Sequence, residues 1–214
     1  MELKGLKVNF LGDSITQGAG ASRYENCYVE LLRKNCHLAA ARNYGIGGTR
    51  IARQKTPSED PMYDRDFPGR VEEMDREADL VLVFGGTNDH GHGDAPLGTD
   101  ADRTPDTFCG ACHVLYRKLL TRFPQARILV LTPLHRAEDS LPKAGSGAVL
   151  ADYVEIIRRT AARYDLPVLN LFEISALRAD IPEIAARYTT DGLHPNDLGH
   201  ALLAREIEAY LSVL

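Results

Sequence analysis

The chain has 214 residues, 44% hydrophobic and 26% charged, the balance of an ordinary globular protein with one substantial core spanning residues 1–214. A formal charge of −5 with no basic block gives no support to nucleic-acid binding. No stretch approaches a transmembrane span and the first residues lack the apolar core of a signal peptide, so the expectation is a cytoplasmic protein without membrane association.

In chain order, the apolar run Val8–Leu11 stops at Gly12, as a buried strand feeding a turn does, and Asp13-Ser14-Ile15-Thr16 follows. A helix is predicted from Tyr24 to Cys36, with Tyr28, Leu31, Leu32 and Asn35 near one face. Ala41–Ile46 reads as a second strand running into Gly47-Gly48-Thr49-Arg50. Residues 53–67 read as a surface loop, and Pro68–Arg76 as a short helix. Asp79–Phe84 is the clearest strand, its continuous apolar run implying burial on both faces. It ends in Gly85-Gly86-Thr87-Asn88-Asp89, and His90 to Arg103 reads as loop. Thr104-Pro105-Asp106 is expected to start a helix reaching Phe123. Ile128–Thr132 is a fourth strand, followed by a long connection over 134–147 with the character of a binding loop. A helix from Val149 to Tyr164, a fifth strand over Pro167–Leu171 and an irregular helical region to Ala186 come next. Thr189–Pro195 then leads into a last helix carrying Leu203, Ile207, Tyr210 and Leu214.

This alternation argues for an α/β fold, a parallel sheet of about five strands between helical layers, with a flavodoxin-like strand order as the guess. Parallel strands put all their carboxyl ends on one edge, where ligand sites collect. Acyl transfer by serine needs a hydroxyl, a base, a group that orients the base, and donors for the oxyanion. Ser14, His194, Asp191, the Asn88 amide and the Gly48 N–H are the candidates, three of these elements following predicted strands.

The four blocks Gly12-Asp13-Ser14-Ile15-Thr16, Asn43-Tyr44-Gly45-Ile46-Gly47-Gly48, Gly86-Thr87-Asn88-Asp89 and Asp191-Gly192-Leu193-His194-Pro195-Asn196 resemble, in order, those of the SGNH hydrolases of the GDSL esterase/lipase superfamily. Ile15 stands where the family nickname has leucine. The resemblance covers nearly the whole chain and implies a three-layer α/β/α sandwich and a metal-free, cofactor-free serine mechanism. It assigns Ser14, Asp191 and His194 to a catalytic triad, and the Ser14 N–H, Gly48 N–H and Asn88 amide to an oxyanion hole.

Plainer readings compete. Ser14 is also a good helix cap, and Asn196 reads as the cap of the last helix. His200 reads as a surface or packing residue. Arg50, His90 and His92 are possible substrate contacts, although loops collect polar residues regardless. The four cysteines, Cys27, Cys36, Cys109 and Cys112, are expected as free thiols. The Cys109/Cys112 spacing matches redox and zinc sites, but Phe108, Cys112, Leu115 and Leu119 recur at helical spacing and favour packing. The leading functional reading is a short-acyl or acetyl esterase acting on a small polar ester such as an O-acetylated sugar. An acyltransferase, a lysophospholipase or thioesterase, and a silent carbohydrate-binding protein are the alternatives. No Gly-x-Ser-x-Gly elbow is present.

Overall fold

The computed structural model describes residues 2–143 and 146–214. Its five strands are β1 (Lys7–Gly12), β2 (Ala40–Gly45), β3 (Leu80–Phe84), β4 (Arg127–Leu131) and β5 (Val168–Leu169). All pair in parallel in the order β2-β1-β3-β4-β5, the flavodoxin-like order expected from the sequence. The helices are α1 (Ser14–Gln17), α2 (Tyr28–Asn35), α3 (Phe67–Arg70), α4 (Thr87–His92), α5 (Phe108–Arg122), α6 (Leu150–Ala162), α7 (Leu171–Ile174), α8 (Pro182–Tyr188) and α9 (Asp197–Val213).

Both faces of the sheet are covered because its strands alternate between two cores. Val81, Val83, Ile128 and Val130 pack with Phe67 of α3, Phe108, Cys112, Leu115 and Leu119 of α5, and Tyr153 and Ile157 of α6. Leu80, Leu82, Leu129 and Leu131 face the other way, onto Tyr28 and Leu32 of α2 and Leu203, Ile207 and Leu211 of α9. The result is an α/β/α sandwich. The register aligns Gly12 of β1 with Gly45 of β2 and Phe84 of β3, so three loops leave the sheet side by side.

Several expected elements shift for identifiable reasons. The helix expected over 24–36 is broken at Cys27, whose extended backbone (φ −70°, ψ 152°) separates a 3₁₀ turn at Tyr24–Asn26 from α2, and Asn35 is exposed. The Pro68–Arg76 helix is α3 followed by a 3₁₀ turn at Val71–Glu73. The 53–67 loop contains a 3₁₀ turn at Pro61–Asp64. Residues 104–106 are drawn into the loop because the Pro105 carbonyl accepts from Arg53 N at 2.8 Å. Helix α5 therefore starts at Phe108, where Thr107 Oγ1 accepts from Gly110 N at 3.1 Å. The fifth strand shortens to two residues. Of the loop expected from His90 to Arg103, residues 90–92 belong to helix α4, and of the 134–147 connection residues 144 and 145 lie outside the described residues.

Candidate active site

The β1 strand ends at Gly12, and Asp13 turns the chain into α1. Asp13 is the N-cap: its Oδ1 accepts from Ile15 N at 3.0 Å, so Ser14 occupies the first helical position and is free of the capping duty. Helix α1 is pinned beneath the serine by Thr16, whose hydroxyl meets Tyr28 Oη at 2.9 Å and whose carbonyl accepts from Asn43 Nδ2 at 2.7 Å.

Ser14 Oγ lies 2.9 Å from His194 Nε2, and His194 Nδ1 lies 2.7 Å from Asp191 Oδ2. The carboxylate is acceptor-only, which assigns the ring proton to Nδ1 and leaves Nε2 to accept the serine proton. Asp191 also accepts from the backbone N–H groups of Leu193 (3.0 Å) and His194 (2.8 Å). Partial burial pushes its pKa up, but these hydrogen bonds and the His194 ring outweigh that and hold it below the usual carboxylate range. The turn is closed by Thr190 N donating to the His194 carbonyl and Gly192 N donating to Thr189 Oγ1, both at 2.9 Å.

Beside Ser14 lies the loop after β2. Gly47 N donates to Gln17 Oε1 at 2.8 Å, fixing the loop to α1. Gly48 has φ +74°, and a Cβ there would stand 2.7 Å from the Tyr63 ring, so both backbone and neighbour demand glycine. Its N–H has no hydrogen-bond acceptor among the described residues. Asn88 is buried, and its Nδ2 donates one hydrogen to the Thr49 carbonyl at 2.9 Å. The second amide hydrogen remains for a ligand. The loops that carry Gly48 and Asn88 leave the same edge of the sheet as the one that carries Ser14.

Two buried side chains that sequence reading missed hold this floor together. Arg70 donates to Thr49 Oγ1 at 2.8 Å, to the Gly12 carbonyl at 3.0 Å and to the Tyr44 carbonyl. One guanidinium therefore joins the ends of β1 and β2 to the residue that holds Asn88. Burial lowers its pKa to about 10, with Asp13 among the carboxylates pulling it back up. Burial also pushes Asp13 up to about 6, against the Ile15 N–H and the charges of His194 and Arg70. Asp89 accepts from Ile51 N (2.9 Å) and Ala52 N (2.8 Å), and burial pushes it up to about 7. Asp89 belongs to a quoted sequence block, but nothing local in sequence reveals its distant partners, and Arg70 carries no sequence signal.

The three possible substrate contacts take different places. Arg50 is 5% exposed rather than a surface residue. It meets His92 Nδ1 at 2.9 Å, the Tyr63 carbonyl at 3.1 Å and Asp64 at 3.7 Å, holding Tyr63 against Gly48. His92 has its pKa pushed down by partial burial of the ring and by the Arg50 charge. His90 is buried, edge-on to Tyr153, with Nε2 3.4 Å from the Leu141 carbonyl. Asn196 caps α9 by accepting from Leu198 N and Gly199 N. His200 is a packing residue: it meets the Ala19 carbonyl at 3.1 Å and accepts from Tyr28 N at 3.3 Å. All four cysteines are buried free thiols.

Residues 10–202 match the model of the GDSL-like lipase/acylhydrolase family. A crystal structure of a protein from Lactobacillus plantarum superposes with a TM-score of 0.84 at 31% identity, covering 98% of both chains. A possible lipase from Chitinophaga pinensis shares the fold (TM-score 0.71, 21% identity, 97% of this chain and 98% of that one). So does a two-domain esterase active on acetylated mannans (TM-score 0.65, 24% identity), with 98% of this chain matching 49% of that one. No curated protein sequence matches significantly. No helix among the described residues is long and apolar enough to cross a membrane.

Proposed function

We propose that this chain, which belongs to the GDSL-like lipase/acylhydrolase family and is therefore an ester hydrolase, cleaves short-acyl esters, acetyl esters above all, of small polar alcohols such as sugars. The observation that carries the proposal is the continuous chain from Ser14 Oγ through His194 to Asp191, at 2.9 and 2.7 Å. In this reading His194 takes the serine proton as Oγ bonds to the ester carbonyl carbon. Asp191 stabilises the imidazolium, and the donors of Ser14, Gly48 and Asn88 hold the oxyanion. His194 then gives the proton to the departing alcohol. Water, activated by the same imidazole, cleaves the acyl-enzyme and restores Ser14.

The charge held on α4 supports the choice of substrate: Arg136 bonds to Thr87, next to Asn88, a poor neighbour for a long acyl chain. The mannan esterase of the same fold acts on acetylated polysaccharide, which adds plausibility to an acetylated sugar. Labelling with a fluorophosphonate tests the nucleophile, and hydrolysis of 4-nitrophenyl esters from acetate to decanoate tests acyl length. We expect one adduct on Ser14, none in Ser14→Ala, and kcat/KM falling beyond butyrate. An unlabelled Ser14 removes the serine mechanism; a rate rising with chain length removes the short-acyl assignment.

A further inference from the structure

The segment that follows β4 bridges two parts of the site. Residues 136–137 run between α4, which carries Asn88, and the Asp191–His194 turn. On one side Arg136 Nη1 donates to the Thr87 carbonyl at 3.2 Å and meets Thr87 Oγ1 at 3.4 Å. On the other, Ala137 N donates to the Gly192 carbonyl at 2.8 Å. Two glycines admit this crossing. A Cβ on Gly91 would stand 2.6 Å from Arg136 Nη1, and a Cβ on Gly192 would stand 2.9 Å from the Ala137 Cβ. Lys143, further along the same segment, reaches back to the Gly91 carbonyl. The crossing therefore sets the Arg136 guanidinium on the helix that carries Asn88 and the neighbouring Ala137 on the turn that carries His194.

Arg136 is half-buried, and among the described residues no carboxylate oxygen lies within 4.0 Å of it, Asp191, Glu138, Asp139 and Asp13 acting on its charge only from further away. Ten of the other eighteen arginines differ: Arg33, Arg42, Arg50, Arg53, Arg65, Arg122, Arg158, Arg159, Arg163 and Arg178 are each paired with an acid. Lys143 likewise has an uncharged partner. A partly desolvated cation with spare donors is a costly group to leave unpaired, and a carboxylate or phosphate arriving with the substrate offsets that cost through a charge-assisted, bidentate contact. The turn that carries His194 faces the leaving alcohol, since His194 protonates it. Arg136 bonds to that turn through its neighbour Ala137, so the anion belongs on the alcohol side of the ester.

We infer that Arg136 is a specificity-determining residue that selects acetyl esters whose alcohol moiety bears an anionic oxygen group, such as an acidic or phosphorylated sugar. The inference rests on the ester-hydrolase reading above and narrows its substrate class. The test uses four matched aryl acetates with the full chain: 3-acetoxybenzoate, 3-acetoxyphenyl phosphate, methyl 3-acetoxybenzoate and 3-acetoxy-N,N,N-trimethylanilinium. Hydrolysis of the neutral methyl ester tests the underlying esterase reading by itself. For the inference, kcat/KM is expected to favour the carboxylate or the phosphate over the neutral ester by about tenfold, mainly through KM, and to disfavour the cation. In Arg136→Gln the anionic-to-neutral ratio is expected to fall to about one, and Arg136→Lys to recover part of it. Whichever anion gains more identifies the carboxylate or phosphate source. A ratio near one in the wild type overturns the inference. So does a ratio that survives in Arg136→Gln while all four rates fall together, because Arg136 is then only a pin between α4 and the turn.

Discussion

The two halves of the site are built on different principles. The half to which the proposed mechanism assigns the nucleophile and the oxyanion donors is part of the sheet. Its loops leave β1, β2 and β3 in register, and buried side chains tie them across: Arg70 to Gly12, Tyr44 and Thr49, and Asp89 to Ile51 and Ala52. The half that carries the base is a turn between α8 and α9, with Asp191 half-exposed and most of its bonds made within residues 189–195. The proposed oxyanion donors thus sit on loops tied by long-range bonds that also hold the fold, whereas the proposed base sits in a turn closed by short-range bonds that the fold can lose without unfolding. Function and stability should therefore separate in one half and travel together in the other.

The largest effect is expected in the turn. Asp191→Asn keeps an oxygen for the N–H groups of Leu193 and His194 but is able to present an NH₂ to His194 Nδ1, which favours the wrong tautomer. A loss of about 10⁴ in kcat is expected, by the logic of other triads. Asp191 is half-exposed, so the melting temperature should move by no more than about 2–4 °C, the equivalent of about 1 kcal/mol in a chain of this size. Kinetics and calorimetry on the same preparation check the pair. A large loss of stability would erase the contrast between the halves.

A smaller rate effect with a larger stability effect is expected in the floor. Arg70→Met strips one donor from the Gly12 and Tyr44 carbonyls and from the Thr49 hydroxyl, although Gly12 keeps the Ile46 N–H and the Thr49 hydroxyl keeps its bond to the Ile46 carbonyl, at about 1.5–3 kcal/mol for a hydrogen bond to a charged group. A loss of about 3 kcal/mol or more, roughly 10 °C, should accompany a fall of about 10² in kcat as Thr49 releases Asn88. Thermal melts and steady-state rates report both. A destabilised variant with wild-type kcat would show that the floor does not govern the oxyanion donors.

The same contrast explains what sequence alone could reveal. Val8–Leu11 and Asp79–Phe84 announce their strands because a doubly covered parallel strand must be apolar throughout, and the polar blocks after them announce the edge where chemistry gathers. The Asp191–His194 pair is legible because its partners are three residues apart. Arg70, Asp89 and Arg136 are not, since their partners are backbone groups far along the chain. Helix α4 was equally hidden: it starts from Gly86 at φ +109° with no side-chain cap and carries Gly91, so local propensity argues against it. Bonds from Asp89 to the 51–52 backbone help to hold it in place, and those exist only once the sheet has formed.

The mildest test concerns pH and the floor. Asp89 is buried with a pKa raised to about 7 from 3.8. An acid whose folded pKa is raised binds its proton more tightly in the native state, so its contribution to stability is present at low pH and is lost as pH rises through the window from about 4 to about 7. Asp89→Asn removes this titration and one of two acceptors, because the new NH₂ faces the N–H of Ile51 or Ala52. The variant should therefore be less stable than the wild type at pH 4.5, with the gap narrowing by on the order of 1–2 kcal/mol toward pH 8. Urea melts of both proteins across that range measure the gap. A gap that widens with pH would mean that the two backbone N–H groups stabilise the Asp89 carboxylate more than burial penalises it. The 51–52 loop, and with it α4, would then be held by an ion rather than by a neutral acid, and the half of the site tied by buried hydrogen bonds would be tuned by charge.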